Sequence, residues 1–498
     1  MELYLGLAVI ALLMLTCLLS SKISSFINMP CLLLFLAVGM LAGREGFMGI
    51  EFNSAYTASC IGSAAMAFIL FSGGFDTEWK SIKSVFVTGG ILSSLGVLLT
   101  AAFCGLFTKF FISLLMPHTD IRLSWCLLLG SIISSTDAAA VFAILRSRSV
   151  SLKGKLQSLL EFESGSNDPM AAFLTIFMVG IVVQENELGI SVPLAEYWFI
   201  LPWFLLKMSL GILIGYLVGR AFVWLYNKID FEYNGLYYVL GIVVVLLSYS
   251  MTELLRGNGF MAVYVAGMTM GNRRFVFHNG VGRFYDGLAW MMQVILFTML
   301  GLLAYPSMVW EVKWVGLGVA FFLMLGARPL AVLAGMLRSK FNLRERLLVS
   351  WVGLRGGAPI MLATIPLMEE HVPEKELLFH IVFFIVITSV LFQGMTIMPC
   401  AKLLKLDAPL RKAPRLPLST EETGDRNTIS REFIVPSEID KMKLADLRLP
   451  GNALVLLIRR DDGIIVPRGG TGLIEGDVLT VMGSPESLEA CRDKFIEC

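Results

Sequence analysis

The sequence predicts an all-α polytopic membrane protein with a small α/β cytoplasmic domain, and three observations carry that prediction. Hydrophobic residues make up 56% of the chain against 16% charged ones, with a mean hydropathy of +0.74, far from the usage of soluble domains. The charges lie mainly in short gaps between apolar runs, and a helix of about 20 apolar residues crosses a bilayer core. After residue 404 the texture changes to a basic, proline-bearing stretch and then to short alternating runs separated by Asp-Gly and Gly-Gly turns. A formal net charge of +1 gives no basis for a nucleic-acid partner.

Thirteen apolar segments lie near 3–20, 30–43, 55–74, 84–115, 123–146, 157–183, 197–226, 235–255, 258–271, 287–305, 312–337, 346–368 and 377–404. The first carries Glu2 where a signal peptide has basic residues, and no small-residue cleavage pattern follows, so it reads as a retained spanning helix. The ninth is short, and the fourth and seventh need tilt or an interfacial extension. With the N-terminus outside, the cytoplasmic gaps hold Lys22, Lys80, Lys83, Arg146, Arg148, Lys153, Lys155, Arg220, Lys228, Arg273, Arg274, Arg283, Arg338, Lys340, Arg344 and Arg346. The external gaps hold Arg44, Arg122, Arg256, Lys313 and Lys375. That asymmetry predicts an N-out, C-in chain in a bacterial inner membrane, with lipid as its solvent.

Four segments carry deep charges or polar interruptions, which are costly in a membrane and mark ion paths. The fifth reads Ser131-Ile-Ile-Ser134-Ser135-Thr136-Asp137-Ala-Ala-Ala140, and the twelfth reads Val352-Gly353-Leu354-Arg355-Gly356-Gly357-Ala358-Pro359. They stand seven segments apart, each fifth in its half. This is the sign of inverted repeats with two broken helices crossing at a midplane site. Asp137 and Arg355 would then neutralise opposite helix-dipole ends.

The sixth segment contains Glu161-Phe-Glu163-Ser164-Gly-Ser166-Asn167-Asp168-Pro169. The apolar stretch behind it, 170–183, is too short to span alone, so the acidic residues are expected inside the helix. Residues four apart share a face, which stacks Ser164 on Asp168 and Glu163 on Asn167. A carboxylate with a hydroxyl one turn away offers hard oxygen ligands to an alkali cation, and a desolvated carboxylate also binds a proton readily. One site can therefore take two mutually exclusive ligands. The eleventh segment adds Arg328, which wants an acid at that depth, and Glu163 is the candidate.

Enzymatic function is disfavoured: no nucleophile stands with a base, and His118, His278, His371 and His380 lack metal-ligand spacing. The eight cysteines contain no CxxC and read as unpaired thiols. No cofactor is expected.

At Thr136-Asp137, Glu163-Ser164-x-x-Asn167-Asp168-Pro169, Arg328 and Gly353-Leu354-Arg355-Gly356 the chain resembles the monovalent cation:proton antiporters of the NhaP type, over residues 1–404. The resemblance implies a homodimer with a mobile core, and alternating access in which Asp168 binds potassium or sodium and a proton in turn. Ser164 and the backbone around Thr136 are implied as further cation ligands, and Glu163 with Arg328 as a structural ion pair. Asn167 before Asp168 resembles the electroneutral class and implies a positioning role.

The tail, Ile465-Val-Pro467-Arg-Gly469-Gly-Thr471-Gly-Leu473-Ile-Glu-Gly476-Asp477-Val-Leu479, resembles the C-terminal lobe of regulator-of-potassium-conductance domains. It implies a regulatory domain at 431–498 behind a linker at 405–430, open to a small regulatory ligand and favouring potassium over sodium. The competing readings are a cation channel regulated by the cytoplasmic domain and a non-transporting sensor. A channel would need a repeated selectivity loop or a continuous polar pore, and the sequence has neither.

Overall fold

In the computed structural model the described residues are 2–27, 29–115, 121–147, 150–189, 198, 200–409, 429–436, 439–447, 449, 451–460, 463–491 and 495–497. They form two compact units, 1–410 and 411–498.

The first unit is helical: α1 (Glu2–Ile27), α2 (Cys31–Ala42), α3 (Ala55–Asp76), α4 (Trp79–Ile82), α5 (Phe86–Ile91), α6 (Val97–Leu115), α7 (Leu123–Ile132), α8 (Ala138–Ser147), α9 (Leu156–Leu188) and α10 (Ile200–Lys228). There follow α11 (Gly235–Leu254), α12 (Gly259–Gly271), α13 (His278–Leu303), α14 (Pro306–Glu311), α15 (Lys313–Phe322), α16 (Arg328–Gly335), α17 (Leu343–Trp351), α18 (Gly357–Met368) and α19 (Lys375–Leu403). Among the described residues nine helices are long and apolar enough to cross a membrane, and the shorter apolar ones are α2, α7, α12 and α18. Capping fixes several starts: Ser54 accepts the Thr57 N–H at 3.1 Å, and Asn342 and Glu345 form a capping box.

The helices pack as a panel of α1–α3 with α10–α13 and a core of α5–α9 with α14–α19. Glycines let backbones touch within the panel. Cβ atoms at Gly211, Gly215 and Gly219 of α10 would collide with Asn258, Ala262 and Thr269, and at Gly267 and Gly271 of α12 with Phe71 and Phe75 of α3. In the core, π-helical turns at Leu92–Gly96 and Leu323–Ala327 join α5 to α6 and α15 to α16. These turns fall in the fourth and eleventh segments, which again match across the two halves.

The expected start of the tenth segment at 287 moves back to His278, so Arg283 and Asp286 lie in the first turns of α13. Strand β1 (Val150–Leu152), between α8 and α9, pairs antiparallel with β2 (Asp407–Pro409) just after α19. The first residues of the expected linker are thus held by backbone hydrogen bonds, and the remainder, 410–428, lies outside the described residues.

The second unit holds β3 (Ile429–Ile434), β4 (Leu454–Arg460), β5 (Gly463–Ile465), β6 (Val478–Gly483), α20 (Pro485–Cys491) and β7 (Ile496–Glu497). Its antiparallel sheet has the order β5-β4-β6-β3-β7. One face buries Phe433, Ile458, Leu479 and Val481 with Leu488 and Cys491 of α20, as the alternating pattern of the strands dictates.

Candidate functional site

The two interrupted segments break where the small and polar residues stand. Helix α7 ends at Ile132 and α8 begins at Ala138, while α17 ends at Trp351 and α18 begins at Gly357. The extended stretches meet: the Asp137 N–H donates to the Leu354 carbonyl at 2.7 Å. A Cβ at Gly356 would overlap the Asp137 carboxylate, so glycine is what permits this approach.

Charge compensates the broken ends. Arg355 is fully buried, and its Nη1 donates to the Ser134 carbonyl at 2.6 Å and to the Ser135 carbonyl. A cation thus sits on carbonyls of the break just past the C-terminal, negative end of α7. Asp137 accepts the Ala140 N–H at 3.0 Å and caps the start of α8. Behind Arg355, its N–H donates to Ser389 Oγ at 3.0 Å, Ser389 donates to Gln393 Oε1 at 2.6 Å, and Gln393 Nε2 donates to the Trp351 carbonyl at 2.8 Å.

Helix α9 runs unbroken through Pro169 and lays its polar face against the first break. Ser164 Oγ donates to the Thr136 carbonyl at 2.9 Å and accepts the Ala138 N–H at 3.0 Å. Asn167 Nδ2 donates to Thr136 Oγ1, and its Oδ1 is buried with no hydrogen-bond partner among the described residues. Asp168 is half-buried, and its Oδ1 accepts the hydroxyl of Ser135. The structure therefore brings Asp168, Ser164, Asn167, Thr136, Asp137 and Arg355 to one crossing. Arg328 joins from α16, with Nη2 2.6 Å from Glu163 Oε1; both side chains are buried.

A cavity of about 1490 Å³ opens beside this crossing, among α1, α2, α3, α8, α13 and α19. It reaches Ala139 and Ala140 on the first turn of α8, and Asp76 and Asp286 are among its lining residues.

The sequence shows Ser135 inside the interruption, but its contact to Asp168 emerges only in the fold. Ser389 and Gln393, which stand behind Arg355, are not among the residues expected at the site. Two polar residues four apart in an apolar helix share a face, and that spacing was the available signal.

The sodium/hydrogen exchanger transmembrane family model matches residues 9–403, and the TrkA-C domain model matches residues 431–496. The chain is 40% identical over 450 residues to a K(+)/H(+) antiporter NhaP of Alkalimonas amylolytica, covering 90% of this chain and 73% of that one. To a K(+)/H(+) antiporter NhaP2 of Shewanella oneidensis it is 35% identical over 494 residues, covering 97% and 82%. The solved structure of the sodium proton antiporter MjNhaP1 from Methanocaldococcus jannaschii aligns with a TM-score of 0.65 at 22% identity, over 79% of this chain and 100% of that one. At that identity the likeness is one of fold.

Proposed function

The chain belongs to the sodium/hydrogen exchanger family and is a monovalent cation:proton antiporter, and from that premise we propose that Asp168 carries both ions in turn by alternating access, with potassium as the cation. A carboxylate withdrawn from water holds a proton readily. With the proton gone, carboxylate, hydroxyl and carbonyl oxygens can replace part of the hydration shell of an alkali cation. Because either ligand excludes the other, the two fluxes are coupled.

The observation that carries the reading is the setting of Asp168, whose carboxylate meets Ser135 at the crossing of two broken segments. Ser164 and the backbone of Thr136 are the further cation ligands, tied to each other within the same hydrogen-bonded net. Asn167 positions Thr136 and carries no proton, so the exchange is electroneutral. Asp137 and Arg355 hold the broken ends, and Glu163 with Arg328 braces α9 against α16. The potassium assignment leans on the K(+)/H(+) names of the relatives. Family membership leaves the channel alternative without support.

The wider arrangement in this reading is a homodimer in a bacterial inner membrane, with thirteen crossings over residues 1–404 and the N-terminus outside. The cavity beside α8 is its cytoplasmic ion route. The linker at 405–430 leads to a cytoplasmic regulatory domain at 431–498. Proteoliposome exchange under a pH gradient, run separately with potassium and sodium, tests the proposal. Potassium should exchange at lower concentration than sodium, and Asp168→Asn should abolish exchange and cation binding in a folded protein. Near-normal exchange by Asp168→Asn would overturn the carrier site, and a clear sodium preference would overturn the ion assignment.

A further inference from the structure

Helix α12 is held within the panel and yet touches α9 on both sides of Asp168. Its grip on the panel comes from the glycine contacts to α10 and α3, where the helices approach backbone to backbone. Toward the core, the Asn258 amide donates from Nδ2 to the Pro169 carbonyl at 2.8 Å, in a buried position. Two turns along α12, the Tyr264 ring lies so close to Gly165 that a Cβ there would overlap it. Residues 165 and 169 bracket Asp168 on α9, so a fixed panel helix bears on the turn that carries the carboxylate.

The amide orientation of Asn258 is fixed by its surroundings. Its Oδ1 accepts the Met261 N–H at 2.9 Å as the cap of α12, which leaves Nδ2 as the atom facing Pro169. The two functions of the side chain are chemically separable. Serine caps a helix as well as asparagine does, but its single short hydroxyl, engaged with Met261, cannot also reach across to α9.

We propose that Asn258, with the Tyr264 ring over Gly165, forms the seam along which the Asp168 helix moves, and that Asn258 is a positioning residue that stabilises the state described here. The inference rests on Asp168 being the carrier site. A bond made in one of two alternating states biases their populations, and an apparent affinity is weakened by the fraction of protein in the non-binding state. Removing it therefore raises the half-saturating cation concentration from the side on which this state binds and lowers it from the other. Losing one net hydrogen bond corresponds to a change of about fivefold, and of about tenfold at most.

The test is sided potassium/proton exchange in oriented proteoliposomes, with Asn258→Ser, Asn258→Ala and Asp168→Asn compared with the unaltered chain. Expected are opposite shifts of the two half-saturating concentrations in both Asn258 variants, with an additional loss of thermal stability in Asn258→Ala, where the cap is also gone. A second variant pair, Gly165→Ala alone and with Tyr264→Leu, should lose the maximal rate by tenfold or more and recover part of it. If Asn258→Ser keeps both half-saturating concentrations while Asp168→Asn is inactive, the residue is only a cap and the seam is overturned, with the carrier site intact. If Asp168→Asn still exchanges, the carrier site falls and the seam falls with it. Absence of recovery in the Gly165→Ala, Tyr264→Leu pair would likewise count against the seam.

Discussion

At the scale of single residues, the site is built from polar groups whose hydrogen bonds face one another across a break. The Glu163–Arg328 pair is different in kind, since two opposite charges are buried at 2.6 Å with apolar helix around them. Removing one partner leaves the other charge uncompensated, at about 3–5 kcal/mol. Glu163→Gln and Arg328→Gln should each lower the thermal unfolding temperature of the detergent-solubilised protein, and the charge swap should recover part of the loss. Additive single effects with no recovery in the swap would show that the pair does not act as a unit. In the tail, burial by itself would raise the Asp477 carboxyl, but two hydrogen bonds from Arg460, at 2.9 and 2.8 Å, and one from the Ile474 N–H outweigh it and hold the group below its ordinary value. A carboxyl depressed by folding adds stability above its unfolded pKa of about 3.9 and loses it as the pH falls through the lower, folded value. Asp477→Asn should therefore lose about 1.5–3 kcal/mol at neutral pH, seen as faster amide exchange in β4 and β6, with the difference from the unaltered chain vanishing in strong acid.

At the scale of elements, the crossing depends on two chains coming closer than ordinary side chains allow. Gly356 faces the Asp137 carboxylate, and Gly353 faces the Arg328 side chain. Gly356→Ala pushes a methyl group into a carboxylate that cannot move away without giving up the Ala140 cap. Transport should fall by at least tenfold with helix content preserved, as read by liposome exchange and circular dichroism. An active Gly356→Ala protein would mean that the crossing relaxes easily. The unbroken course of α9 follows from the same economy. Pro169 donates no N–H, so the Gly165 carbonyl loses its helical partner, but the helix continues because the helices packed around it hold its course.

At the scale of the whole molecule, every buried charge assigned to transport precedes residue 360, while residues 429–497 form a separate sheet unit with its own core. Removal of the chain after Thr423 spares β2 and its pairing with β1, so the backbone anchor between α8 and α9 survives. The shortened protein should still exchange cations for protons but respond differently to internal pH, because a regulatory domain acts through its different affinity for two transporter states. Exchange by truncated and full-length proteins across internal pH checks this. Complete loss of transport in a folded truncation would make the tail part of the working machine.

The sequence alone determined the membrane class, the positions of the apolar segments and the two interrupted helices. Those features are local: apolar run length answers to bilayer thickness, and clusters of small and polar residues such as 131–137 and 353–357 interrupt an apolar run where they stand. Glu163 and Arg328 were also legible, since a charge that deep requires an opposite one. The partner of the Asp168 carboxylate was decided by tertiary structure. Ser135 and Ser134 are chemically alike neighbours, and only the way the broken stretch packs on α9 selects Ser135 for Asp168 and leaves Ser134 bonded to Ser131. The same holds for Ser389 and Gln393 behind Arg355 and for Asn258 against Pro169, contacts between segments far apart in the chain. No local pattern encodes such pairs, because a hydrogen bond between distant segments exists only once the helices between them have packed.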